Sequence, residues 1–185
     1  MNAVLLLLRS VIGLLFIGHG TQKLFGWFGG GGVEGTGSMM HGLGYRPGKA
    51  FATLGGLAEA GGGLLLTLGL LTPVGSAATM AMMLSAILSV HWTKGIWNTK
   101  GGLEYPLVMA TVAFAIAFIG PRRYSLDRAI GWRLHGWAWA IAALMVAVAV
   151  TAVIDGYRRS QLRRSAGGAP TEDLQQPETG KHRAA

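Results

Sequence analysis

Five apolar runs, separated by polar, glycine-bearing or proline-bearing breaks, divide this chain. The first is residues 3–19, AVLLLLRSVIGLLFIGH. The second lies within GKAFATLGGLAEAGGGLLLTLGLLT, where Phe51 to Leu71 as a helix spans about 30 Å, the thickness of a bilayer's hydrocarbon core. Thr72–Pro73 ends it, and a third run from Val74 to Val90 follows at once. So short a turn predicts two antiparallel, adjacent helices. The fourth run begins at Glu104 or Tyr105, carries Pro106 in a first turn that tolerates proline, and stops before Gly120–Pro121. The fifth, Leu134 to Ile154, leads into the basic DGYRRSQLRR.

The pattern predicts an all-α integral membrane protein. Residues 1–133 form a four-helix transmembrane domain, and residues 134–156 add a fifth, C-terminal transmembrane helix. Residues 157–185 form a basic stop and then a polar tail, disordered from Ser165. The first run has only Met1 and Asn2 before it and no small-residue cleavage site after it, so it reads as a span and not as a signal peptide. Phe25, Trp27 and Phe28 supply an interfacial aromatic belt. Residues 29–49 read as a loop with a flexible Gly29–Gly32 run, in which Val33, Met39, Met40, Leu43 and Tyr45 mark a weakly periodic interfacial helix. Gly48–Lys49 lacks the flanking residues of a P-loop, which excludes nucleotide binding there.

Alternation of spans puts the loops after the first and third helices on one side. His19, Lys23, His41, His91, Lys94, Asn98, Lys100 and Glu104 thus gather at one mouth of the bundle. The opposite end has the short turn and the basic segment PRRYSLDRAIGWR. The Lys/Arg count favours the first mouth as cytoplasmic, while the basic 121–133 segment argues the reverse.

Composition agrees with the pattern. Only 13% of the 185 residues are charged, against about a quarter in a soluble domain. The formal net charge of +8 reads as a topology signal and as attraction to anionic lipid. No basic patch interleaved with aromatics lies in a foldable soluble segment, so nucleic acid is not a partner. With no cysteine, the chain has no disulfide, thiolate metal site, iron–sulfur cluster or covalent haem attachment of its own, and no metal site is expected. Many of the 30 glycines lie inside apolar runs, where they allow helix backbones to approach closely.

Glu59 lies near the middle of the second run, where a charged carboxylate costs several kcal/mol unless paired or protonated. Gly56 with Ala60 and Ala58 with Gly62 form small-xxx-small pairs around it, so a neighbouring helix should pack close. In antiparallel neighbours Arg9 lies about 10 Å deep and Glu59 about 18 Å from the same face, which makes Arg9–Glu59 a candidate buried ion pair. Snorkelling of Arg9 to the near interface is the plainer alternative. His19, Gln22 and Lys23 share one helical face at the far interface.

Four stretches in order resemble the DoxX family of small bacterial and archaeal membrane proteins. They are RSVIGLLFIGHGTQKLFGWFGG from Arg9, GLAEAGGGLLLTLGLLTP from Gly56, ILSVHWTKGIW from Ile87 and GLEYPLVM from Gly102. The likeness covers residues 4–132 and implies a DoxX-like four-helix bundle in a bacterial cytoplasmic (plasma) membrane, to which the fifth span is an extension. Arg9, His19, Gly20, Lys23, Leu24, Glu59, Gly62, His91, Glu104, Tyr105 and Pro106 stand in the matching motifs. Some members of that family or its relatives look like subunits of quinone-linked oxidoreductases, including thiosulfate:quinone oxidoreductase. Others are associated with oxidative stress.

The resemblance therefore implies a scaffold subunit of a redox or oxidative-stress complex, with other membrane or soluble redox subunits as partners and homo-oligomerisation left open. A quinone site at one end of the bundle would use His19 and His91 as donors or proton shuttles and Lys23 to stabilise a reduced, anionic quinone. Glu59 would be its proton relay, Trp92 and Trp97 its walls, and Asn98 and Glu104 its further polar contacts. The alternative is a membrane subunit of a quinone-linked oxidoreductase with a catalytic role of its own. Haem b between His19 and His91, or a small transporter, is less well supported.

Overall fold

A computed structural model describes residues 2–167. It contains α1 (Asn2–Phe25), α2 (Gly32–Gly42), α3 (Gly48–Leu68), α4 (Thr72–Ala86), α5 (Glu104–Ile119), α6 (Leu126–Ala129) and α7 (Trp137–Gly167). A π-helical turn, Ile87–His91, prolongs α4. Helices α1, α3, α7 and the extended α4 are long and apolar enough to cross a membrane, while α5 is a shorter apolar helix. Leu7, Leu14, Leu54, Val74, Val108, Val146 and Val153 are exposed, and such apolar side chains turned outward suit a lipid solvent.

The chain is thus an all-α membrane bundle, as expected, with local differences. The loop after α1 contains a regular eleven-residue helix, α2. The turn between α3 and α4 is Gly69–Leu71, not Thr72–Pro73: α3 closes with a Schellman-type cap at Gly69, whose φ is 62°. Pro73 falls inside α4, at its start. The basic segment after the fifth run does not stop that helix. Ser165 to Gly167 still belong to α7, and the rest of the expected disordered tail, from residue 168, lies outside the described residues.

Glycine sets the closest contact. A Cβ on Gly13 would lie 2.5 Å from Gly63 O, one on Gly63 would lie 2.5 Å from Gly13 O, and one on Gly20 would lie 2.6 Å from Gly56 O. Helices α1 and α3 therefore run antiparallel with their backbones touching, in a register that places residue 13 beside 63 and residue 20 beside 56. On the other side of α3, Gly62 meets Ala78 of α4. The small residues flanking Glu59 thus serve two neighbours: Gly56 and Ala60 receive α1, and Gly62 receives α4.

Two apolar clusters complete the packing. Leu5, Ile12 and Phe16 of α1 join Leu66 of α3 and Met109 and Ile116 of α5, which closes the four-helix ring. Ala140, Ala143 and Ala147, one face of α7, meet Ala77 and Ala81 of α4 and Ala113 and Ala117 of α5. This alanine stripe lets α7 lie close against the bundle by the small-residue logic of membrane helices. Thr151 adds a buried hydrogen bond to Ala81 O.

Gly63→Leu should force α1 off α3 and lower stability by about 2 kcal/mol or more, read as a lower melting temperature in detergent. Gly18→Ala, whose added Cβ meets nothing within 4 Å, should leave the melting temperature unchanged.

Candidate functional site

The α1–α3 register decides which cation meets Glu59. Continuing it places Glu59 opposite Ile17, about 12 Å along the axis from Arg9. Side chains on a helix lean toward its N-terminus. Glu59 on α3 and Lys23 on the antiparallel α1 therefore lean toward each other, whereas Arg9 leans away toward the opposite membrane face. Accordingly Lys23 Nζ donates to Glu59 Oε1 at 2.5 Å. The expected Arg9–Glu59 ion pair does not form.

Glu59 is 4% exposed, and its second oxygen, Oε2, is buried without a hydrogen-bond partner. Tyr105, at the start of α5, is near enough for Glu59's charge to act on its phenol. Ser76 and Thr79 of α4 are buried, and their hydroxyls also lack partners. Gly62, one turn along α3 from Glu59, is packed against this segment of α4. Helices α1 and α3 thus bring an ammonium onto a buried carboxylate at one end of the bundle, with the partly exposed Tyr105 of α5 within range of the carboxylate's charge.

The other expected site residues are placed less centrally. His19 is exposed, with Nδ1 3.1 Å from Gln22 Oε1. His91 ends the π turn and donates from Nδ1 to Gly101 O at 2.7 Å, which pins the 95–103 loop. Glu104 accepts the Asn98 N–H at 3.0 Å and folds the same loop onto the start of α5. Trp92, Trp97 and Asn98 are exposed. Among the described residues, no group of three or more His, Asp or Glu side chains is arranged to hold a metal ion.

Arg9, 1% exposed, instead donates to the carbonyls of Pro121 and Tyr124 at the opposite end. Beside it lies Asp127, fully buried, a residue the sequence reading passed over as one acid in a basic loop. Its carboxylate accepts from Leu71 N at 2.7 Å, Thr72 N at 3.0 Å and Thr72 Oγ1 at 2.8 Å. Helix α4 has an apolar N-cap, Leu71, so Asp127 satisfies its first N–H groups from a distant segment and places negative charge at the positive helix end. The Asp127 N–H donates back to Gly69 O at 2.9 Å. The available signal was an Asp two residues after a serine, opening a short helix in which Ser125 is the N-cap.

A third polar cluster joins α7 to the first mouth. Asp155 accepts from both Arg158 and Arg159. Arg158, part of the basic segment after the fifth run, has a side chain only 11% exposed. It reaches Leu43 O and Leu88 O of the π turn and sits over the Tyr45 ring.

Residues 4–92 match the family model described as DoxX. This segment, a little under half of the chain, is similar to the DoxX family. The match includes Arg9, His19, Lys23, Glu59, His91 and Trp92, and stops short of Asn98, Glu104 and Asp127. No curated protein and no solved structure matches the chain. The DoxX segment thus contains the Lys23–Glu59 pair whole, while Tyr105 and the partners of Arg9 come from the sequence that follows it.

Removing one member of a buried pair leaves the other charge stranded, at about 3 kcal/mol. Lys23→Met should be the costlier single change, because Glu59 is deeper and cannot turn to water. The double variant Lys23→Met/Glu59→Leu should regain most of the loss, as read from unfolding in detergent. Asp127→Ala should cost about 2 kcal/mol or more by orphaning two backbone donors, with Asp127→Asn milder.

Proposed function

We propose that this DoxX-like protein is a scaffold subunit of a redox complex in a bacterial cytoplasmic membrane, and that Lys23, Glu59 and Tyr105 receive the headgroup of a quinone. The observation that supports this reading is Glu59 Oε2, a buried acceptor with no partner of its own, beside a carboxylate oxygen already held by Lys23. Leaving such an atom unsatisfied is costly, and a ligand hydroxyl would satisfy it. A quinone, when bound, supplies two-electron, two-proton exchange. The chain's own residues supply the proton side. Glu59 accepts from a ligand hydroxyl, and Lys23 and Tyr105 donate to a ligand carbonyl. The chain has no cysteine thiol to exchange electrons, and in this reading the partner redox subunit is their source or sink.

A second reading, a scaffold without a ligand, is favoured by His91 and Glu104. Their contacts with Gly101 O and Asn98 N spend them on loop structure.

The test is mass spectrometry of an organic extract of the detergent-purified protein, with an absorption spectrum of the same sample. Near-stoichiometric quinone is expected, lost in Glu59→Gln and reduced in Lys23→Met at unchanged elution volume. Wild-type protein without quinone would retire the headgroup site and leave the scaffold reading, for which cross-linking in native membranes identifies the redox partner. A Soret band lost in either His19→Ala or His91→Ala would replace both readings with haem ligation.

A further inference from the structure

The end of the bundle opposite the Lys23–Glu59 pair carries two adjoining pockets of unlike chemistry. One, of about 530 Å³, is lined by Arg122, Arg123, Arg128, Arg133, Trp132 and His135. The other, of about 450 Å³, is mostly apolar and is lined by Leu71, Pro73, Val74, Leu134 and Trp139. Trp132 and Arg133 belong to both, so the basic pocket and the apolar one meet along a shared wall.

The positive charge there is uncompensated. Among the described residues, the salt bridges involve none of these four arginines. Asp127 is the one carboxylate in residues 121–135, and it is turned inward and fully buried, committed to Leu71 and Thr72. The same residue fixes the platform: Asp127 O accepts the Trp132 N–H at 2.8 Å, and its own N–H holds Gly69 O. Arg9 grips Pro121 and Tyr124 from below. The segment is thereby held so that its single acid neutralises the interior while its four arginines face outward.

We propose that this double pocket binds an anionic phospholipid, with the phosphate among Arg122, Arg123, Arg128 and Arg133 and an acyl chain running over Trp132 into the slot bounded by Val74, Leu134 and Trp139. The juxtaposition carries the proposal. Four unpaired guanidinium groups suit a phosphate, since arginine binds phosphate oxygens in a fork. The apolar slot begins where the basic pocket ends and extends along the start of α4 toward the bilayer. A soluble anion has no use for the slot, and a zwitterionic lipid brings a headgroup cation that the arginines repel. Trp132, Trp137 and Trp139 are exposed at the level where indole rings favour the headgroup boundary.

The test uses the full chain in detergent. Native mass spectrometry follows titration with phosphatidylglycerol, with phosphatidylcholine of the same acyl chains, and with inorganic phosphate. Phosphatidylglycerol should bind at least about ten-fold more tightly than phosphatidylcholine, and inorganic phosphate at equal concentration should not displace it. The triple variant Arg123→Gln/Arg128→Gln/Arg133→Gln, all exposed positions, should lose about a hundred-fold in affinity. The control Lys94→Gln/Lys100→Gln/Arg164→Gln removes equal charge elsewhere and should bind as the wild type does. If the triple variant fails to fold, Arg128→Gln alone should still weaken binding several-fold. Equal affinity for the two lipids overturns the proposal, as does equal loss in the control. Displacement by inorganic phosphate would make the site one for a free anion and also overturns it.

Discussion

The antiparallel register of α1 on α3 is the constraint from which the polar architecture follows. Glycines at 13, 20, 56 and 63 let the two backbones touch, and a touching pair has little freedom to slide. Once that register is set, helix geometry aims each charged side chain toward its own N-terminus and so divides the cations. Lys23 is directed inward to Glu59, and Arg9 outward to the 121–124 carbonyls. Neither contact depends on an attraction across the whole bilayer. Lys23 and Arg9 each find a partner within their own half of the membrane, which is the cheapest arrangement where no water is available.

The two ends then differ in kind. At one, a carboxylate retains an unsatisfied oxygen among three helices, a feature that packing alone does not explain. At the other, an aspartate is fully satisfied and its arginine neighbours are left outside. The first end is suited to exchange with a small ligand, and the second to anchorage in the surrounding membrane. Helix α7 joins the two. Its alanine face lies along α4 and α5, and Arg158 ties its far end to the π turn that carries His91.

Much of this fold is legible in the sequence, because apolar runs of membrane-spanning length leave few alternatives. The same runs also place Glu59 and the small residues around it. The choice of Glu59's partner was not legible: depth alone leaves Arg9 and Lys23 both within reach, and only the lean of the side chains in a known register separates them. Asp127 escaped notice because it stands among four arginines, where an acid reads as local charge balance. Its partners, Leu71 and Thr72, lie 56 and 55 residues away, a separation no local pattern reports. The inward turn of Arg158 was not legible for a similar reason, since nothing in a basic run after an apolar helix marks one member as buried.

The capping of α4 by Asp127 has a consequence for how the protein is made. During synthesis the first four spans enter the bilayer in order, and α4 is complete long before residue 127 leaves the ribosome. Until it does, the leading N–H groups of α4 and the guanidinium of Arg9 both lack their final partners. The segment that carries the DoxX match is therefore inserted before it is finished. Its remaining contacts arrive with the segment between α5 and α7 and then with α7 itself, so late synthesis acts as the latch on the earlier half of the molecule.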